Sequence, residues 1–222
     1  MPKLDTARSV EPYPSNPLIT PLWETAHRTP DNTALRFING LGADDVTEWN
    51  WIQFLVGIHG AQEDLRRARI TAGDRVLMLL SASSDYLLTF WALIGLGAQP
   101  VSVPLAPEAP LDTGITTLAH IARDCAATAI VTSAATSAEL SDLTKAHPEH
   151  PELARLVHLI PDYPHHEVAH LHDVESLPAD FPTTISEFGL APVTYDTPRL
   201  HPVLQWLHRH PERCRQPLWM PP

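Results

Sequence analysis

Apolar residues set the rhythm of this chain before any single motif does. After a proline-rich lead (Pro12, Pro14, Pro17), Leu18, Leu22 and Ala26 recur at helical spacing, and Thr29-Pro30-Asp31 stops the run, so a short surface helix is expected. Ala34 to Ile38 reads as a strand, Asn39-Gly40 as a turn and Val46 to Trp49 as a second short strand, the pattern of a hairpin. Asn50 then caps a helix whose apolar face (Trp51, Phe54, Leu55, Ile58, Ala61, Leu65) keeps the 3.6-residue period until Thr71-Ala72-Gly73-Asp74 closes it. From there strand and helix alternate. Val76 to Leu80, Gln99 to Val103, Thr128 to Thr132 and Arg155 to Ile160 read as strands. Between them lie helices over Asp85 to Leu96, around Ile115 to Cys125, and near Ser137 to Ala146. Strands that are apolar throughout belong in a parallel sheet covered on both faces, so the expected class is α/β, a mostly parallel sheet flanked by helices with right-handed crossovers.

Beyond Pro161 the composition turns to Pro, His and Asp, and Pro164, Pro178 and Pro182 interrupt any regular element. Four stretches are expected: a lead over 1–17, an α/β subdomain over 18–160, a linker with partial continuation over 161–198, and an anomalous tail over 199–222. No internal repeat is visible.

At 222 residues, 44% hydrophobic and 18% charged, the chain can bury a real core. Its formal net charge of -11 argues against nucleic acid or an anionic membrane as partner. Cys125 and Cys214 form no CxxC pair, which suggests neither a disulfide scaffold nor a zinc ribbon and fits a reducing cytoplasm. Met1 to Pro17 has no apolar signal core, and the apolar run Tyr86 to Ala98 is too short to span a bilayer. Neither export nor a membrane anchor is expected.

Ala72-Gly73-Asp74-Arg75-Val76, followed by an apolar strand and helix and then Gly97-Ala98-Gln99-Pro100-Val101-Ser102-Val103-Pro104, resembles the start of the adenylate-forming superfamily of acyl-CoA synthetases, luciferases and nonribosomal adenylation domains. Thr47-Glu48-Trp49-Asn50-Trp51 is similar to that superfamily's Thr-Tyr-x-Glu-Leu segment, and Pro21-Leu22-Trp23 to Thr29-Pro30-Asp31 to its opening. Pro104 to Pro110, the helix to Asp124-Cys125 and Ala129-Ile130-Val131 look most like the fatty-acyl-AMP ligase branch. The matches cover roughly Leu18 to Ile160 and are structural punctuation: glycine at a helix end, proline leaving a strand, aspartate in a turn. The resemblance implies an intact enzyme that uses ATP and magnesium. It would hold them with a Ser/Thr/Gly-rich phosphate loop, an adenine site, a ribose-binding aspartate and a C-terminal lysine. None of these reads in frame here, so no catalytic, cofactor-binding or metal residue is assigned to this chain.

The tail from Arg199 to Pro222, crowded with Arg, His, Pro and Trp, has no period and the composition of a GC-rich gene read out of frame. Taking the last two bases of each codon with the first of the next, Val203 to Cys214 permit Tyr-Ser-Ser-Gly-Ser-Thr-Gly-Thr-Pro-Lys-Gly. That is the family's phosphate-loop pattern, and Trp206 with Leu207 forces its first glycine. Arg199 to Val203 permit Ala-Tyr-Ile-Gln before it, and Cys214 to Pro217 permit Val-Val-Ser after it. The pattern implies one nucleotide gained or lost near Pro198, hence a truncated chain that is inactive alone. Two other readings stand beside it. One is a non-catalytic module that docks on an acyl carrier protein or on another ligase. The other is one half of a split enzyme completed by a complementary ligase chain.

Several residues carry a sharper reading next to a plain one. His165, His166, His170 and His172 cluster, and His166 with His170 has the spacing of a helical metal pair, but prolines precede them and no HExxH or cysteine accompanies them, which favours a solvated loop. Asp74 and Arg75 read first as an exposed turn and second as a functional pair. Cys125 falls on an apolar helix face, and Trp49, Trp51 and Trp91 read as core.

Overall fold

Three of the strands hand over to a helix at Asn50, Ser83 or Ser133, each of whose side chains caps the helix it precedes. In this computed structural model, which describes residues 16–38, 46–103, 110–163, 171–173, 175 and 177–189, Asn50 is where the first hairpin becomes helix. Strand β1 (Thr33–Ile38) pairs antiparallel with β2 (Val46–Asn50), and Arg36 meets Glu48 across the pair, its Nε 2.6 Å from the carboxylate. The expected Asn39-Gly40 turn lies outside the described residues. Asn50 Oδ1 accepts from Gln53 N–H at 2.8 Å while Gln53 Oε1 accepts from Asn50 N–H at 2.9 Å, a capping box contributing on the order of 1 kcal/mol to helix α2 (Trp51–Arg67). Helix α1 (Thr20–Arg28) precedes the hairpin, as its apolar spacing predicts.

The α/β rhythm follows: β3 (Arg75–Leu79), α3 (Ser84–Leu96), β4 (Gln99–Ser102), α4 (Leu111–Asp124), β5 (Ala129–Thr132), α5 (Ala134–Ala146) and β6 (Val157–Leu159). The four strands form one parallel sheet in the order β4-β3-β5-β6. The expected strand from Arg155 is shorter, because Leu153–Arg155 forms a 3-10 turn that delivers the chain to the sheet edge.

Side chains of the sheet alternate between two cores, as the pleat requires. Val76, Met78, Ala129 and Val131 face α2 and α3, whereas Leu77, Leu79 and Ile130 face α4 and α5. The crossover through α3 steps one way along the sheet and those through α4 and α5 step the other, which places the helices on opposite faces.

Two glycines close the turns at the amino end of the sheet. Gly73 (φ 91°) and Gly97 (φ 77°) both need the left-handed region, and Gly73 N–H donates to the Gly97 carbonyl at 2.9 Å. Gly97 N–H returns to Ile94 C=O and Ala98 N–H to Leu93 C=O, ending α3 in the turn where β4 begins.

The stretch read from sequence as a linker with partial continuation, 161–198, carries anchors that no period announces. Tyr163, Leu171, Phe181 and Phe188 are buried in the α2/α3 core, Phe188 within the short helix α6 (Ile185–Phe188). Tyr163 Oη lies 2.8 Å from Thr89 Oγ1, and Asn50 Nδ2 donates to Leu171 C=O at 2.9 Å. Residues 177–189 thus form a strap across α2.

Candidate functional site

In an open parallel sheet, ligands gather at the carboxyl ends of the strands where the winding direction reverses, because crossover helices diverge there and leave a crevice. In this sheet the reversal falls between β3 and β5. Helices α3 and α5 both begin on that rim. Ser83 Oγ accepts from Tyr86 N–H at 3.3 Å, and Ser133 Oγ accepts from Thr136 N–H at 3.1 Å. Thr132 Oγ1, fully buried, donates to Leu79 C=O at 2.9 Å and locks the end of β5 to the end of β3. Tyr86 Oη stands 2.6 Å from Ser102 Oγ and ties α3 to the end of β4. The rim therefore presents hydroxyls and helix amino termini, groups suited to accepting and orienting oxygen-rich ligands.

Asp74 and Arg75 lie at the other end. Asp74 Oδ2 accepts from Thr71 N–H at 2.7 Å and Thr71 Oγ1 at 2.9 Å, its carbonyl accepts from Gln99 N–H at 2.7 Å, and Thr128 N–H donates to Arg75 C=O at 2.9 Å. The pair laces three strands together at their amino ends, away from the crevice, which is the structural part that a turn residue plays. Arg75 Nε is buried without a hydrogen-bond partner among the described residues.

Cys125 is buried at the end of α4, with its Sγ 3.8 Å from Ala122 C=O. Burial pushes its thiol above the usual range, so it is a poor nucleophile at neutral pH. Trp49 sits in the core with its ring edge-on to Phe37, while Trp51 and Trp91 are partly buried against Phe54 and Phe90. His172 is exposed, whereas His165, His166, His170 and Cys214 lie outside the described residues. Among the described residues no three His, Cys, Asp or Glu side chains converge as a metal site needs. No helix among the described residues is long and apolar enough to cross a membrane.

Two buried polar positions were not singled out from sequence. Thr89 interrupts the apolar face of α3 and meets Tyr163, whose hydroxyl is pushed up to about 12, chiefly by burial. Gln62 interrupts α2 and reaches the strap. A lone polar residue within an otherwise apolar helical face is the signal that marks both.

Comparisons with known proteins bear on this geometry. A family model described as AMP-binding enzyme matches residues 22–197. A hybrid PKS-NRPS synthetase, thnA, of Trichoderma harzianum is 34% identical over 120 residues, which is 54% of this chain and 3% of that protein. Among solved structures, the adenylation domain of a keto acid-selecting NRPS module bound to keto acyl adenylate aligns with a TM-score of 0.51 at 20% identity, over 72% of this chain and 28% of the other. A Mycobacterium tuberculosis fatty acyl CoA synthetase aligns with a TM-score of 0.51 at 18% identity, over 73% and 28%. The chain thus spans less than a third of the length of these proteins, and at such identities the structural matches speak to the fold alone.

Proposed function

Because this chain belongs to the AMP-binding enzyme family, we propose that it is the opening α/β portion of an acyl-adenylating ligase of the fatty-acyl-AMP type, interrupted by a frame change near Pro198. The intact form would join a carboxylic acid to ATP as acyl-AMP. One observation carries this reading: the family match stops at residue 197, and the second-frame pattern containing the phosphate loop begins at Arg199. A loop of that composition turns backbone N–H groups and hydroxyls toward phosphate, and its lysine adds positive charge.

The 222-residue protein should support no ATP–pyrophosphate exchange with any acid, whereas the product of a gene corrected by one base near codon 198 should support it. Sequencing that region and several hundred bases beyond it decides whether the frame change is real. Robust exchange by the 222-residue protein would overturn the reading.

A second reading concerns the acid and its acceptor. The 34% identity to a hybrid PKS-NRPS synthetase favours an acid other than a fatty acid. A panel of fatty, amino and keto acids, offered to the corrected protein with and without a carrier protein, separates the two.

A further inference from the structure

The end of α5 is joined to the start of α4 by one imidazole. His147 closes α5, its backbone N–H donating to Leu143 C=O at 2.9 Å, and its ring stands between two carboxylates. Nε2 lies 3.0 Å from Asp112 Oδ1, in the first turn of α4, and Nδ1 lies 3.0 Å from Glu149 Oε1, in the connection to β6. A carboxylate oxygen can only accept, and a neutral imidazole carries a single N–H. Both contacts are therefore hydrogen bonds only while the ring holds two protons. Once it is neutral, one nitrogen turns a lone pair toward a carboxylate oxygen and that contact becomes repulsive. The helix ends favour the charged arrangement, since a cation suits the carboxyl end of α5 and an anion the amino end of α4.

The same connection is fastened to α4 a second time. Arg123 Nη2 meets Glu152 Oε1 at 2.9 Å, and Leu153 beside it is buried in the α4/α5 core. Arg123 lies roughly three turns beyond Asp112, about 16 Å along the helix. The guanidinium keeps its charge at any ordinary pH, and its hydrogen bond holds the Glu152 carboxyl below the usual range, so this second contact does not depend on pH near neutrality. Other charged groups around His147 are accounted for. Lys145, two residues earlier on α5, pairs with Asp142 at 2.9 Å. The His150 ring lies 6.3 Å from that of His147, with its Nδ1 3.7 Å from Glu152, and its protonation would place a like charge beside His147 and work against the contact.

We propose that His147 is a proton-operated clasp: charged, it holds the α5–β6 connection against the first turn of α4, and on giving its proton to water it releases one of the two carboxylates. The hydrogen bond to Glu149 and then that to Asp112 raise the ring above its ordinary 6.5. The clasp is thus closed below 6.5 and opens as pH rises through the raised value, while the Arg123–Glu152 contact keeps the far end of the connection in place.

NMR of the 222-residue protein from pH 5.5 to 9 tests it. The His147 ring should bind its proton several-fold more tightly than a free imidazole, and the side-chain carboxyl carbons of Asp112 and Glu149 should shift with the same midpoint. Asp112→Asn and Glu149→Gln should each weaken proton binding by roughly twofold or more, and together should return it most of the way to the ordinary value. The amides of His150 and Leu153 donate to His147 C=O and His150 C=O at 3.1 and 3.2 Å. Their protection from exchange, corrected for the intrinsic rate, should fall about threefold or more across the His147 midpoint. In His147→Gln it should stay level with pH, with unchanged protection in β3 reporting an intact fold. A ring that titrates at or below the ordinary value overturns the clasp. So does a fall in protection that persists in His147→Gln, or a His147 titration that neither carboxyl carbon follows.

Discussion

Gln62 Nε2 donates to the carbonyl of Phe188 at 2.9 Å, a buried hydrogen bond that joins the middle of α2 to the end of the strap 126 residues later. Room for it comes from Gly95 on α3, where an added Cβ would stand 2.1 Å from Gln62 Nε2. Substituting Gln62 with Ala leaves the Phe188 carbonyl buried and unpaired, and the expected cost is about 1–3 kcal/mol in urea unfolding. Gly95→Ala should cost a similar amount by expelling the Gln62 amide, and the double variant should cost less than the sum, since both break one contact.

Helix α2 offers a paired test of packing against propensity. A Cβ at Gly57 would meet Leu88 Cδ2 at 2.9 Å and Trp49 at 3.3 Å, whereas a Cβ at Gly60 meets nothing within 4 Å. Gly60→Ala should therefore raise the melting temperature, contributing up to ~1 kcal/mol of helix propensity. Gly57→Ala should lower it, because overpacking costs about 1–3 kcal/mol and outweighs the same gain.

Acid should loosen the strap. Burial holds His59 below its ordinary 6.5, against the opposing pull of Glu63 and Asp180 and with the help of Arg66. Its ring lies edge-on to Phe181 at 5.3 Å. A lowered value in the folded state means the unfolded chain binds the proton first. Stability is then full above 6.5 and is lost as pH falls from there through the lowered folded value. His147 acts oppositely: its hydrogen bonds to Glu149 and Asp112 raise it, so its contribution is present below 6.5 and fades as pH rises through the raised value. Urea midpoints measured from pH 8 to 5 should fall for the parent chain, and His59→Gln should flatten that fall. An unchanged slope would assign the loss elsewhere.

At the amino end of the sheet, Asp74→Ala should cost about 1–2 kcal/mol by leaving Thr71 N–H and Oγ1 without their acceptor. Asp74→Asn, which keeps an oxygen in place, should recover most of that. A functional role for the charge itself would predict the reverse, with both variants equally impaired in whatever activity the corrected gene product shows.

Much of this architecture is written locally, which is why sequence alone reaches it. Asn50 and Gln53 announce the start of α2, Gly73 and Gly97 mark their turns, and the uniformly apolar β3 and β5 declare a sheet covered on both faces. The strap escapes such reading because Tyr163, Leu171, Phe181 and Phe188 are single anchors in polar, proline-rich surroundings, and each is buried by a partner far away in the chain. Arg155 was placed in a strand because its apolar neighbours Leu153 and Leu156 do not distinguish a 3-10 turn from a strand over so few residues. For the site, the family's motifs in this stretch prove to be turn and edge chemistry, and the phosphate-binding pattern is absent from the printed frame.

The division of the sheet into two cores sets a timetable for synthesis on the ribosome. Residues of the α4/α5 core run from Leu77 to Leu156, whereas the α2/α3 core gathers residues from Ile19 to Phe188 and closes only when the strap has emerged. The family match, over residues 22–197, takes in nearly all of both. Once Phe188 has emerged, every described member of both cores is in hand and the chain can close around them. A chain stopped before Phe188 would lack an aromatic ring of the larger core and leave that core unsealed.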